Sequence, residues 1–93
     1  MTVKEICGKL ETFSDDERQK YTGGLCKILS PVSMATLHKF QEDWDGNKSP
    51  EEFFKAQAKE IKTCVELEIG PVGGTVRQLS GLEPLTWETE IAA

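Results

Sequence analysis

The chain has 93 residues, 38% apolar and 29% charged, with 11 Lys and Arg against 16 Asp and Glu for a formal net charge of −5. That length holds one small hydrophobic core and leaves no room for a second independent one. The basic residues stand singly, which argues against the phosphate-neutralising patch that nucleic-acid binding requires, and no run reaches the roughly 18 consecutive apolar residues of a membrane span.

The N-terminal stretch MTVKEICGKLETF mixes charged with apolar residues and lacks the continuous apolar core of a signal peptide. Thr2 to Phe13 reads as a first helix. Thr2 and Glu5 have the spacing of a capping box, and Val3, Ile6, Leu10 and Phe13 recur on one face with Cys7 beside them. Ser14 and Glu17 repeat that start signal, and Asp15, Asp16 and Glu17 suit the positive end of a helix dipole. The second apolar stripe is Tyr21, Leu25 and Ile28, with Leu29 adjoining. Gly23-Gly24 interrupts it at a cost of about 2 kcal/mol, so a break or kink is expected there.

Ser30-Pro31 opens a third helix running to about Trp44, with Met34, Leu37, Phe40 and Trp44 on its buried stripe. Asp45-Gly46-Asn47 is a strong turn signal that stops it. Ser49 to about Val65 then carries the best start in the chain: a Ser cap, Pro50 at the first position and Glu52 three residues on. Phe54, Ala58, Ile61 and Val65 share one face, and Glu51–Lys55 and Lys62–Glu66 lace the other. This is the expected central helix, antiparallel to the third across a short loop.

After Val65 two readings stay open. Val65, Leu67 and Ile69 alternate with Glu66 and Glu68, and Thr75 to Leu79 follows the glycine-rich stretch Gly70-Pro71-Val72-Gly73-Gly74, which together suit a short β-hairpin. The other reading extends the helix to Glu68 and leaves the rest irregular. Ser80 to Ala93 mixes Leu82, Leu85, Trp87 and Ile91 with Glu83, Glu88 and Glu90 and shows no clear period.

Candidate chemistry is sparse. Counting a calcium loop from Asp43 puts Lys48 where EF-hands need Gly and Phe54 where they need a bidentate Glu. Cys7, Cys26, Cys64 and the single His38 are too dispersed for zinc spacing, and the odd cysteine count points to a reducing, cytoplasmic setting rather than a disulfide framework. Any Cys–His nucleophile would have to run through His38, which sits beside a polar Lys39. The stretch 70–75 lacks the Gly-Lys-Ser/Thr ending of a P-loop.

The sequence therefore predicts a mainly α protein: a small bundle of about four helices at 1–69, with a glycine-rich loop and a hairpin or irregular C-terminal segment at 70–93, packed on it or partly disordered. Its expected function is non-catalytic, without cofactor or metal. It would be an acidic protein-interaction or regulatory module that binds another protein, homodimerisation included. Leu82, Leu85 and Trp87 of the tail, with Phe53 at the edge of the central helix, are the expected contacts, since Trp is an effective anchor in a partner's pocket. The alternative is a small-ligand or nucleotide-binding protein using the loop at 70–75 and Arg77. Mimicry of nucleic acid by an acidic surface is a third reading, for which a charge of −5 is modest.

Overall fold

The computed structural model describes residues 1–92 and is mainly helical. Helix α1 spans Val3–Lys9. Helix α2 is a run of Asp15–Glu17, a π-helical turn at Arg18–Thr22, and Gly23–Cys26. Helix α3 spans Pro31–Glu42, α4 spans Pro50–Ile69, and α5 spans Pro71–Leu79.

The start signals work as their chemistry demands. At Thr2 and Ser14 both halves of the capping box form: the hydroxyl accepts from the backbone N–H three residues on, and Glu5 or Glu17 accepts from the cap's own N–H at 3.0 Å. Those backbone hydrogen bonds, joined by the cap hydroxyls, hold the Glu5 and Glu17 carboxyls below the ordinary value of 4.5. A carboxyl lowered on folding stabilises the fold above its unfolded pKa, and that stabilisation is lost as pH falls through the lowered folded value. Melting temperatures measured against pH should therefore fall less steeply below about 4.5 in a Glu5→Gln/Glu17→Gln variant, whose amides cap without titrating.

Two expected boundaries shift. α1 stops at Lys9, where the Thr12 N–H turns back to the Lys9 carbonyl at 2.9 Å, though Leu10 and Phe13 still reach the core. The break expected at Gly23-Gly24 does not occur, because Thr22 and Gly23 keep right-handed helical angles. The irregularity falls one turn earlier, in the π turn, and Gly24 has another use. A Cβ there would lie 2.9 Å from the Ile91 side chain, so the missing Cβ is what lets the C-terminal segment lie against α2.

The hairpin is replaced by helix. α4 continues through Glu68 to Ile69, and Gly70, extended at φ −70° and ψ 169°, breaks it before Pro71, as the residue preceding a proline tends to do. Pro71 then starts α5 with Gly70 as its cap. Beyond α5 the chain runs as an irregular strap with a turn at Trp87-Glu88. Thr2 and Glu90 form a single antiparallel bridge, and the Trp87 and Thr89 carbonyls accept from the Lys4 and Val3 N–H groups at 2.9 Å each. The strap thus caps two of the donors that α1 cannot satisfy internally.

The core gathers Val3, Ile6, Leu25, Leu37, Ile61 and Val65, with Leu85 and Ile91 of the strap closing it. α3 and α4 are antiparallel neighbours: Phe40 stacks on Phe53 at one end, while Ser33 reaches Glu68 at the other. The Cα envelope measures 39 × 27 × 16 Å. Two packed helices 8–10 Å apart have a Cα thickness of about 15 Å, so the molecule is a slab two helices deep.

Candidate functional site

Three elements converge on one side of the slab. The last turns of α4 bring Cys64, Leu67 and Glu68; α3 begins beside them with Ser30, Val32 and Ser33; α5 packs against the end of α4. The close approach of α5 depends on Gly73. A Cβ at that position would lie 1.8 Å from the Leu67 carbonyl oxygen and 2.4 Å from the Glu68 Cα.

Beneath the junction lies an ion pair between two residues that are each 4% exposed. The Glu68 carboxylate accepts from Arg77 Nη1 at 2.6 Å, from the Ser30 N–H at 3.0 and 3.1 Å, and from the Ser33 hydroxyl. Arg77 also donates from Nη1 to the Ile28 carbonyl and from Nε to the Glu83 carbonyl, both at 2.8 Å. Buried charges are tolerable only when paired and hydrogen-bonded in this way. The carboxylate also sits at the N-terminus of α3, where the helix dipole favours negative charge.

Turning Arg77 inward turns the apolar side of α5 outward. Arg77 is the one residue of that helix that is buried, while Val72, Val76 and Leu79 follow helical spacing on its outer side. Val72 is 80% exposed and Leu79 83%; Leu67 on α4 and Val32 on α3 are 65% and 62% exposed. Between the three helices runs an open groove of about 240 Å³, walled by Val32, Leu67, Val72 and Val76, with buried Ser33 and Cys64 at its base. Burial pushes the Cys64 thiol up, against a smaller opposing effect of its hydrogen bond with Ser33. Burial likewise raises Cys7 and Cys26, which leaves all three protonated and weakly nucleophilic at neutral pH.

The residues singled out in the sequence are dispersed. Phe53 belongs to a half-buried cluster with Phe40, Trp44 and Phe54, ring centroids 5.4–5.7 Å apart, over which Arg18 covers Phe54 and Lys48 covers Trp44. It lies at the start of α4, about 20 Å along the helix from Leu67. Leu82 is half-buried, Trp87 packs on the core, and Leu85 is a core residue at 5% exposure. Leu85→Ala should lower the urea-unfolding free energy by about 2 kcal/mol, the low end of the usual range because an irregular strap relaxes into a void readily. Of the tail contacts Leu85 alone is fully inward, on a strap whose Trp87 and Thr89 carbonyls are held by α1.

The glycine-rich loop expected at 70–75 is helical from Pro71 on, and Arg77, its expected ligand contact, is occupied by Glu68 and two backbone carbonyls. His38 is exposed beside Met34, Ala35, Lys39 and Glu42, with no cysteine among those neighbours. Asp45 accepts from the Asn47 N–H in a local turn, and Asp43 pairs with Lys39. Among the described residues no three His, Cys, Asp or Glu side chains gather as a metal site would.

The sequence-based site omits Val32, Leu67 and Val72 of the groove and the exposed Leu79 on the same helix as Val72. A signal exists for the α5 residues alone, in the i, i+4, i+7 spacing of Val72, Val76 and Leu79 behind Pro71. Comparison with protein families, with curated proteins and with solved structures finds no match to this chain.

Proposed function

We propose that this chain is a non-catalytic protein-interaction module whose partner lies on the α3–α4–α5 groove. The observation that carries the reading is the inverted helix α5, which buries its arginine and presents its apolar stripe to water. Contiguous exposed apolar surface of this kind marks interaction sites in soluble proteins. The contacts are Val32, Leu67, Val72, Val76 and Leu79; Phe53 and its aromatic cluster form a separate surface at the other end of α4. Three free, protonated cysteines suit a reducing compartment such as the cytoplasm. No described helix is long and apolar enough to cross a membrane.

The test is a Val72→Glu/Leu79→Glu double variant. Both side chains are exposed, so circular dichroism and melting temperature should stay at wild-type values. Proximity labelling in cells should lose the neighbours that the wild-type chain marks. An unchanged neighbour set would place the interaction elsewhere and end this reading.

A further inference from the structure

We infer that the partner seated on this groove is a basic amphipathic helix of another protein, which sets a lysine or arginine between apolar residues and against Glu60. The inference rests on the groove being a protein-binding surface and adds the chemistry of what fills it.

One carboxylate sets that chemistry. Val32, Leu67, Val72 and Val76 are apolar, Thr36 and Thr63 are neutral, and the Glu68 charge is matched by Arg77. Glu60 is the exception. It lines the groove half-buried and belongs to none of the ion pairs among the described residues. The Cys64 thiol at the groove base, raised chiefly by burial, is raised further by that charge. An apolar occupant would strip water from Glu60 and give nothing back, so the occupant that fits brings a cation. The net charge of −5 also draws basic partners on approach.

The same residue carries the groove on into a second recess. Glu60 and Thr36 also line a hollow with Phe40 and Trp44, so one furrow runs between α3 and α4. Lys39 and Asp43 in that hollow pair with each other at 3.3 Å, which leaves Phe40 and Trp44 as its apolar end. Val32 and Phe40 are eight residues apart, about 12 Å along α3. The furrow is thus apolar at both ends with one anion between them. Its walls are helices whose interior backbone groups are bonded internally, and they offer an extended peptide no main chain to pair with. A helix satisfies its own backbone and lays side chains at i, i+3, i+4 and i+7 into such a groove. About three turns would cover it.

Random peptides of roughly 16 residues, displayed on phage and selected on the full chain, are long enough to span the furrow. The selected sequences should carry a Lys or Arg flanked by apolar residues at helical spacing. A synthetic, fluorescein-labelled peptide of the commonest sequence is then titrated by anisotropy against wild type, Glu60→Gln and Val72→Glu. Replacing its basic residue by Gln should weaken binding to the wild type about five- to tenfold, and to Glu60→Gln less than about twofold. Glu60 has no ion pair to lose, so Glu60→Gln should keep the wild-type circular dichroism and melting temperature. Val72→Glu should remove binding of both peptides. Selected peptides without a basic residue, or a preference for Lys that survives in Glu60→Gln, would overturn the inference; if Val72→Glu still abolished their binding, the groove would stand as the interaction site. No enrichment at all, or binding indifferent to Val72→Glu, would overturn the inference and the groove reading together.

Discussion

Replacing Gly73 by alanine should destabilise the protein by about 3 kcal/mol or more, the upper end for overpacking. The added Cβ would fall 1.8 Å from the Leu67 carbonyl oxygen and 2.4 Å from the Glu68 Cα, both main-chain atoms that no rotamer change can move away. α5 would have to lift off α4, drawing Arg77 away from Glu68. For a domain whose whole stability is of order 5–15 kcal/mol that is a large share. The neighbouring position supplies the control. A Cβ at Gly74 meets nothing within 4 Å, so Gly74→Ala should stabilise by about 0.5–1 kcal/mol through helix propensity and a less flexible unfolded chain. Urea midpoints of the two variants, adjacent in one helix, should move in opposite directions. Equal shifts would mean that α5 does not pack on the α4 backbone as described.

The second large effect is at the buried ion pair. Arg77→Met should cost about 3–5 kcal/mol, because it leaves the Glu68 carboxylate buried without its cation. A simple buried pair is often replaced by two apolar residues with little loss. Here Glu68→Leu/Arg77→Met should recover little of the single-variant deficit. The buried Ser30 N–H and the part-buried Ile28 and Glu83 carbonyls would lose the side-chain partners they now have. A double variant close to wild-type stability would show that those backbone groups find water instead.

These same two residues explain where the sequence misleads. Helix starts with Ser or Thr caps, the antiparallel α3–α4 pair and most of the core stripe follow from spacing and capping chemistry alone. After Val65 spacing leaves a hairpin and a helix extended to Glu68 both open; the structure takes the helix, and neither reading foresees α5. The reason is that α4 continues its inward stripe from Ile61 through Cys64 and Val65 to Glu68, putting a carboxylate residue where the period calls for an apolar one. Arg77 does the same in α5. Each charge hides the helical repeat of its own segment, and each is tolerated only because the other lies opposite, a pairing that linear spacing does not reveal. Gly73 and Gly74 strengthened the loop reading, although Gly73 serves close packing rather than a turn. The groove stayed hidden for the same reason, since apolar residues on an amphipathic helix are ordinarily its inward ones. For the tail, composition marked Leu85 and Trp87 as apolar anchors but not whether they grip this chain or another.

The strap also sets the order in which the molecule can open. The first-turn amides of α1 are held by carbonyls 83 and 86 residues away, Lys4 by Trp87 and Val3 by Thr89, so a local fraying of that helix end must also detach the far end of the chain. Helix ends elsewhere exchange their hydrogens by small, independent fluctuations. Here the two segments open together, and their separation in sequence gives those contacts a high loop-closure cost.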